Sequence, residues 1–135
     1  MSAAAVPSGY LLDTCSILLA LAEPERLTAA ARRAILAGPN RMSVVSYWEV
    51  MLKSMKGTLD VGDPRGWWFD ALDELAATPL SLLPEHVSAI CTLPAIHKDP
   101  FDRILIAQAT SEGLALVSID SEVVRYVSKA LRIVG

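Results

Sequence analysis

The stretch His97-Lys98-Asp99-Pro100-Phe101-Asp102-Arg103-Ile104-Leu105-Ile106-Ala107-Gln108-Ala109 decides how the rest of the chain is read. Proline suits the first position of a helix, because its fixed φ matches a helical turn and its missing N–H has no partner to lose there. Asp99 then stands where a side-chain oxygen caps the first free amides. Asp102 falls in the first turn, where a negative charge complements the helix dipole. The apolar residues after Arg103 supply a buried face, and Gly113 closes the helix after Glu112. Three other carboxylates, Asp13, Glu49 and Asp120, follow or flank short apolar runs in the same manner. Four carboxylates at the ends of buried elements point to a metal site.

Outward from that helix, short apolar runs alternate with helical patterns. Gly9 to Leu12 reads as a buried strand ending at Asp13, and Ser16 to Ala22 as a helix stopped by Pro24. Leu27 to Ala37 is a second helix with Arg32 and Arg33 outward, closed by Gly38-Pro39. Arg41 to Val45 is a second strand, after which Ser46 and Glu49 have the spacing of a capping box for a helix reaching Lys56. Asp63-Pro64 opens another helix through Trp67, Phe69, Leu72 and Leu75. Leu80 to Leu83 reads as a third strand and Glu85 to Leu93 as a short helix. Leu114 to Ser118 is a fourth strand ending just before Asp120, Ser121 to Ser128 is helical, and Leu131 to Val134 is a fifth strand. Such alternation implies a parallel sheet covered on both faces, with ligands at the carboxyl ends of the strands. Asp13 and Asp120 fall at that edge, and first-turn positions for Glu49 and Asp102 let all four acids converge.

Size and composition set bounds. A chain of 135 residues, 53% of them hydrophobic, is one domain (residues 1–135) with a sizeable core. Residues 1–8 are small and uncharged and read as a frayed terminus. No apolar run is long enough to span a bilayer, and no secretory signal is evident, so a cytoplasmic location is expected. Cys15 and Cys91 form no metal spacing and no disulfide framework and are expected to be small buried side chains. The net charge of −3 is not that of a general nucleic-acid binder, although it leaves room for local basic patches.

Clustered carboxylates raise one another's pKa unless a cation sits among them, and Mg²⁺ or Mn²⁺ prefers such oxygen ligands. Phosphodiester hydrolysis is the reaction that most naturally uses a site of this kind. Each acid also has an ordinary structural use. Asp13 and Asp99 are candidate helix caps, Glu49 is a candidate partner for Ser46 and, four residues on, for Lys53, Asp102 can serve the helix dipole, and Asp120 a turn. Only their joint occurrence favours the metal.

Leu11-Leu12-Asp13-Thr14, Ser43 to Val50 with Lys53 and Gly57, His97 to Ala109, and Leu116-Val117-Ser118-Ile119-Asp120 together resemble PIN-domain proteins, above all the VapC-type toxins of toxin–antitoxin pairs. The resemblance runs from Tyr10 to Val134 and implies a three-layer α/β/α domain with a central, mostly parallel five-stranded sheet. It further implies an Mg²⁺- or Mn²⁺-dependent endoribonuclease that acts on RNA, forms a homodimer and is restrained by a small antitoxin. On the family pattern Asp13, Glu49, Asp102 and Asp120 form the acidic catalytic and metal-binding quartet, with Thr14, Ser118 and Asp99 in support. Relatives often carry His where this chain has Cys15, and Thr where it has Ser118.

RNA contact requires cations near the cleft. Lys53, Lys98 and Arg103 are candidates, as is His97, which can also order Asp99 or pack in the core, and for which packing or hydrogen bonding is favoured over catalysis. Trp48 suits the core or a dimer contact, and Trp67-Trp68 a partner surface. Two competing readings stay open: a phosphatase of haloacid-dehalogenase type, which needs an acid where Cys15 stands, and a non-catalytic binding module on the same fold.

Overall fold

The computed structural model describes residues 8–135. Five parallel strands, β1 (Tyr10–Leu12), β2 (Asn40–Ser43), β3 (Ala77–Leu80), β4 (Ala115–Val117) and β5 (Ile133–Val134), form one sheet in the order β3-β2-β1-β4-β5. Between them run α1 (Thr14–Ala22), α2 (Ala29–Ala37), α3 (Val44–Met55), α4 (Pro64–Glu74), α5 (Pro84–Ala89), α6 (Pro100–Glu112) and α7 (Ser121–Val124).

Alternate side chains of the strands feed two cores, which makes three layers. Leu12, Met42 and Val117 join Ile17 of α1, Ala31 and Ala34 of α2, and Trp68 of α4 on one face. Leu11 and Leu116 join Val45 of α3, Leu105, Ile106 and Ala109 of α6, and Tyr126 on the other. Because β1 and β4 are buried on both faces, their sequences are uninterrupted apolar runs rather than alternating ones. At the start of β1, Gly9 has φ +143°, and a Cβ there would stand 2.6 Å from the Pro39 carbonyl oxygen, so only glycine lets β1 lie against that backbone.

The strand order reverses at β1, which lies between β2 and β4. A crevice opens at such a point, outside the carboxyl ends of the strands. The segments leaving β1, β2 and β4 there carry Asp13, the start of α3, and Ser118 to Asp120.

Several expectations need correction. The third strand lies three residues earlier than Leu80–Leu83, at Ala77–Leu80. It contains Pro79, which is tolerated because β3 is an edge strand. Ser43, not Ser46, caps α3, its hydroxyl accepting the Val45 amide at 3.0 Å. Glu49 therefore lies in the second turn and no capping box forms. The helix after Asp120 stops at Val124, and Pro24 opens a short 3-10 turn to Arg26. Cys15 and Cys91 are exposed, not buried. Trp68 belongs to the core, stacked on Tyr47 at 4.8 Å, whereas Trp48 is exposed and meets Phe101 edge-on at 4.9 Å. Of the expected frayed terminus, residues 1–7 lie outside the described residues, and Ser8 is held by its amide on the Gly113 carbonyl at 3.0 Å.

Candidate functional site

Three of the acids are delivered as caps at helix starts, Asp102 by the first turn of α6 and Glu49 by the second turn of α3. Asp13 ends the β1 segment and caps α1, its Oδ1 accepting the Ser16 amide at 2.8 Å. Asp120 follows β4 and caps α7, its Oδ1 accepting the Glu122 and Val123 amides at 2.8 and 3.3 Å. Asp99 caps α6 through the Phe101 and Asp102 amides. Asp102 is free of that duty one turn into the helix. Cap geometry and convergence are thus one device: the caps turn three carboxylates toward the same edge of the sheet.

Asp13, Glu49, Asp99, Asp102 and Asp120 line a single cavity of about 430 Å³, together with Thr14, Cys15 and Lys53. Asp13 and Glu49 are buried, 2% and 5% exposed. Ser118 is fully buried, and its hydroxyl accepts the Asp120 amide at 3.2 Å. Thr14 donates its hydroxyl to Ser46 at 2.9 Å, which ties the start of α1 to α3.

Burial without a cation has electrostatic consequences. The Asp13 carboxyl is raised above its usual range, first by burial, with hydrogen bonds from Ser118 and Ser16 pulling the other way. Asp102 is pushed up to about 7, first by burial and then by the charges of Asp99 and Asp13, while His97 opposes the shift. Partial burial, and then the Asp13 charge, raise the Cys15 thiol. Lys53 Nζ holds Glu49 Oε2 at 2.8 Å, and that bond raises the lysine's pKa. The other oxygen, Glu49 Oε1, is buried and has no hydrogen-bond partner. A buried carboxylate oxygen left unpaired is costly, and a hard divalent cation answers both it and the repulsion among the acids. The donor set, nearly all carboxylate oxygen, fits Mg²⁺ or Mn²⁺.

The other sequence candidates divide. His97 reaches the acids, with Nε2 at 2.9 Å from Asp102 Oδ2 and 3.4 Å from Asp120 Oδ2. Lys98 is exposed beside the start of α6. Arg103 is turned away from the cavity: its guanidinium donates to the Pro94 and Ile90 carbonyls and the Tyr126 hydroxyl. These bonds hold the 90–97 loop. Tyr126 anchors the same loop. Its hydroxyl accepts the Ile96 and His97 amides at 3.1 and 2.8 Å and donates to the Pro94 carbonyl. Nothing near it in the sequence signals that bond, because its partners lie about thirty residues away.

Next to the acidic cavity lies a larger cleft of about 590 Å³ between α1, the loop before α4, and α4. Leu18 lines both. The cleft has apolar walls, Leu21, Leu59 and Trp67 among them, and an acidic rim of Asp60, Asp63, Asp70 and Glu74.

The PIN domain family model matches residues 10–129, so the chain belongs to the PIN domain family. A search of curated proteins finds no match. Solved structures of similar fold include the DNA-bound VapBC of Salmonella typhimurium, with TM-score 0.67, 16% identity, and coverage of 92% of this chain and 95% of that one. VapBC2 of Rickettsia felis, bound to a DNA fragment from its promoter, gives 0.64 at 12% identity, covering 93% and 98%. A toxin–antitoxin complex from Klebsiella pneumoniae gives 0.58 at 20% identity, covering 90% and 94%.

Proposed function

We propose that this chain is the toxin of a toxin–antitoxin pair, an endoribonuclease that hydrolyses RNA phosphodiester bonds with Mg²⁺ or Mn²⁺. The observation that carries the reading is that Asp13, Glu49, Asp102 and Asp120 line one cavity at the switch point of a PIN fold, where Glu49 Oε1 is buried and unpartnered. Asp13, Glu49 and Asp102 would hold the ion, and Asp120 would complete the site. When bound, the ion polarises a phosphoryl oxygen and lowers the pKa of a water. The protein's own part is to fix that ion against a rigid sheet edge and to keep each acid oriented by a cap or a hydroxyl. Lys53 binds one oxygen of the Glu49 carboxylate and lines the same cavity as a contact for backbone phosphate, and the exposed Lys98 beside the start of α6 is a second such contact.

The similar structures from Salmonella, Rickettsia and Klebsiella are toxin–antitoxin complexes, which supports an antitoxin as partner. The acid-rimmed apolar cleft suits an amphipathic antitoxin segment that carries basic residues. On α3 the exposed Val44, Trp48 and Met55 form a stripe without charge, which suits a second copy of the chain in a homodimer. Among the described residues no helix is long and apolar enough to cross a membrane; the location we propose is the cytoplasm.

A dehalogenase-type phosphatase is disfavoured because Cys15 occupies the position of its second acid. Single-stranded RNA incubated with the purified protein and Mg²⁺ or Mn²⁺ should be cut, with cleavage lost in EDTA and in a folded Asp102→Asn protein. RNA left intact by the wild type with either ion overturns the reading. Release of phosphate from small phosphomonoesters would point to the phosphatase.

A further inference from the structure

The most specific contact outside the acidic quartet is made by His97. Its Nε2 stands 2.9 Å from Asp102 Oδ2 and 3.4 Å from Asp120 Oδ2, so three potential ligand atoms lie within 4.8 Å of one another. Proximity alone would make the imidazole a metal ligand. The other ring nitrogen decides otherwise. Nδ1 lies 3.1 Å from the backbone nitrogen of Asp99, and a backbone N–H can only donate. Nδ1 is therefore the acceptor, and the ring hydrogen resides on Nε2. A nitrogen that carries hydrogen has no lone pair for an ion. What Nε2 offers the cavity is an N–H, directed in a hydrogen bond at Asp120 Oδ2, with Asp102 Oδ2 beside it.

The surroundings hold this arrangement. The His97 amide donates to the Tyr126 hydroxyl at 2.8 Å, and Arg103 Nη1 donates to the same hydroxyl at 3.2 Å. Asp99, whose amide fixes the ring, is itself fixed as the cap of α6. The imidazole is half-buried, so its orientation is set by protein groups on both edges.

We propose that His97 is a positioning residue: its Nε2–H spans Asp102 and Asp120 and presets the spacing of these two carboxylates for the ion, without ligating it. This role rests on the metal-dependent reading given above and deepens it. Asp102 leaves from the start of α6 and Asp120 from the end of β4, and no shared backbone bond joins them. A donor between them does what the backbone does not. Partners of this kind, one step removed from the ion, typically change metal affinity by about 10- to 100-fold when removed.

The test uses Mn²⁺ binding followed by the loss of its free-ion paramagnetic resonance signal, on the full chain, with wild type, His97→Gln and His97→Leu. The Gln amide keeps an N–H donor and the Leu side chain has none. We expect Gln to stay within a few-fold of wild type and Leu to lose about tenfold or more. Imidazole ¹⁵N–¹H correlations on the wild type should show the hydrogen on Nε2 in both the metal-free and the Mg²⁺-loaded protein. Equal affinity for a folded His97→Leu protein overturns the proposal. So does a wild-type spectrum with the hydrogen on Nδ1, a result that would make His97 a ligand and that stands even if the Leu variant fails to fold. A wild type that binds no Mn²⁺ sinks the nuclease reading itself, a result distinct from either of these.

Discussion

Lys53 Nζ binds one oxygen of Glu49 at 2.8 Å and leaves the other, Oε1, buried and unpaired. The lysine side chain is half exposed, whereas the glutamate side chain is 7% exposed. The two ends of this ion pair therefore have different worth. Glu49→Gln removes a buried charge and should leave the metal-free protein as stable as wild type or more so, while abolishing Mg²⁺-dependent cleavage. Lys53→Met leaves the buried carboxylate without its cation and should destabilise the metal-free protein by about 1 kcal/mol, the low figure reflecting the solvent around the lysine. Urea unfolding in EDTA with and without added Mg²⁺ measures both. A Glu49→Gln protein that still gains stability from Mg²⁺ as wild type does would remove Glu49 from the ion site.

The Asp102 carboxyl, pushed up to about 7 by burial and by the neighbouring Asp99 and Asp13 charges, makes ion binding pH-dependent. The ion needs the carboxylate, so binding displaces a proton near neutral pH. Affinity for Mg²⁺ should weaken by up to about tenfold per unit as the pH drops below 7. The sign for folding is opposite. An unfolded aspartate titrates near 3.9. A carboxyl raised in the folded state contributes stability that is fully present below that value and lost as the pH rises through about 7. Metal-free protein should therefore melt higher at pH 6 than at pH 8 as far as this group decides, and saturating Mg²⁺ should narrow the difference. Calorimetry at the two pH values, in EDTA and in Mg²⁺, checks it.

The helix from Pro100 to Glu112 was legible to the residue, because a proline at its first position, an aspartate cap and a glycine in the left-handed conformation each mark a boundary chemically. The strands buried on both faces were legible for the reason that water never interrupts them. The third strand was misplaced because Ala77-Thr78-Pro79-Leu80 sits at the sheet edge, where a polar, proline-bearing segment is admitted and the more apolar Leu82 and Leu83 are left outside. Ser43 and Ser46 are both buried and both competent caps, and the sequence alone does not show that the Ser43 hydroxyl takes the Val45 amide while the Ser46 hydroxyl takes Thr14. Of the cavity's acids, Asp13, Asp102 and Asp120 have their places at element ends written in the sequence, whereas Glu49 lies a turn deeper in α3 than its spacing from Ser46 suggests. The partners of His97 and Tyr126 could not, because both bonds join segments that meet only through the fold.

The cleft beside the acidic cavity carries Asp70 and Glu74 on an exposed flank of α4 and Trp67 on its apolar wall. If it receives a basic antitoxin segment, Asp70→Lys with Glu74→Lys should speed dissociation of a cognate antitoxin and flatten the salt dependence of its affinity, with cleavage by the free protein unchanged. Surface plasmon resonance at two salt concentrations reads both. An antitoxin that binds the double variant as tightly as wild type at low salt would place its contacts elsewhere.

Tyr126 is buried, and its hydroxyl is the anchor of the loop that carries His97. Replacing it with phenylalanine keeps the ring in the core and removes one oxygen. The Ile96 and His97 amides then lose their acceptor, and the Pro94 carbonyl loses a donor. Arg103 Nη1 loses the same acceptor. Because the loop can relax partly toward solvent, the cost should be about 1–3 kcal/mol rather than the sum over four bonds. The effect should be local as well as global. Hydrogen exchange at Ile96 and His97 should quicken far more than at Leu105 or Ile106 in the core of α6, since the loop opens without the helix. The Asp102 and Asp120 pair then loses the fixed position of the imidazole between them, and Mn²⁺ affinity should fall in parallel with loop protection. Uniform acceleration across α6 would instead mean that Tyr126 supports the whole layer and not the loop, and the link from this hydroxyl to the acidic pocket would be broken.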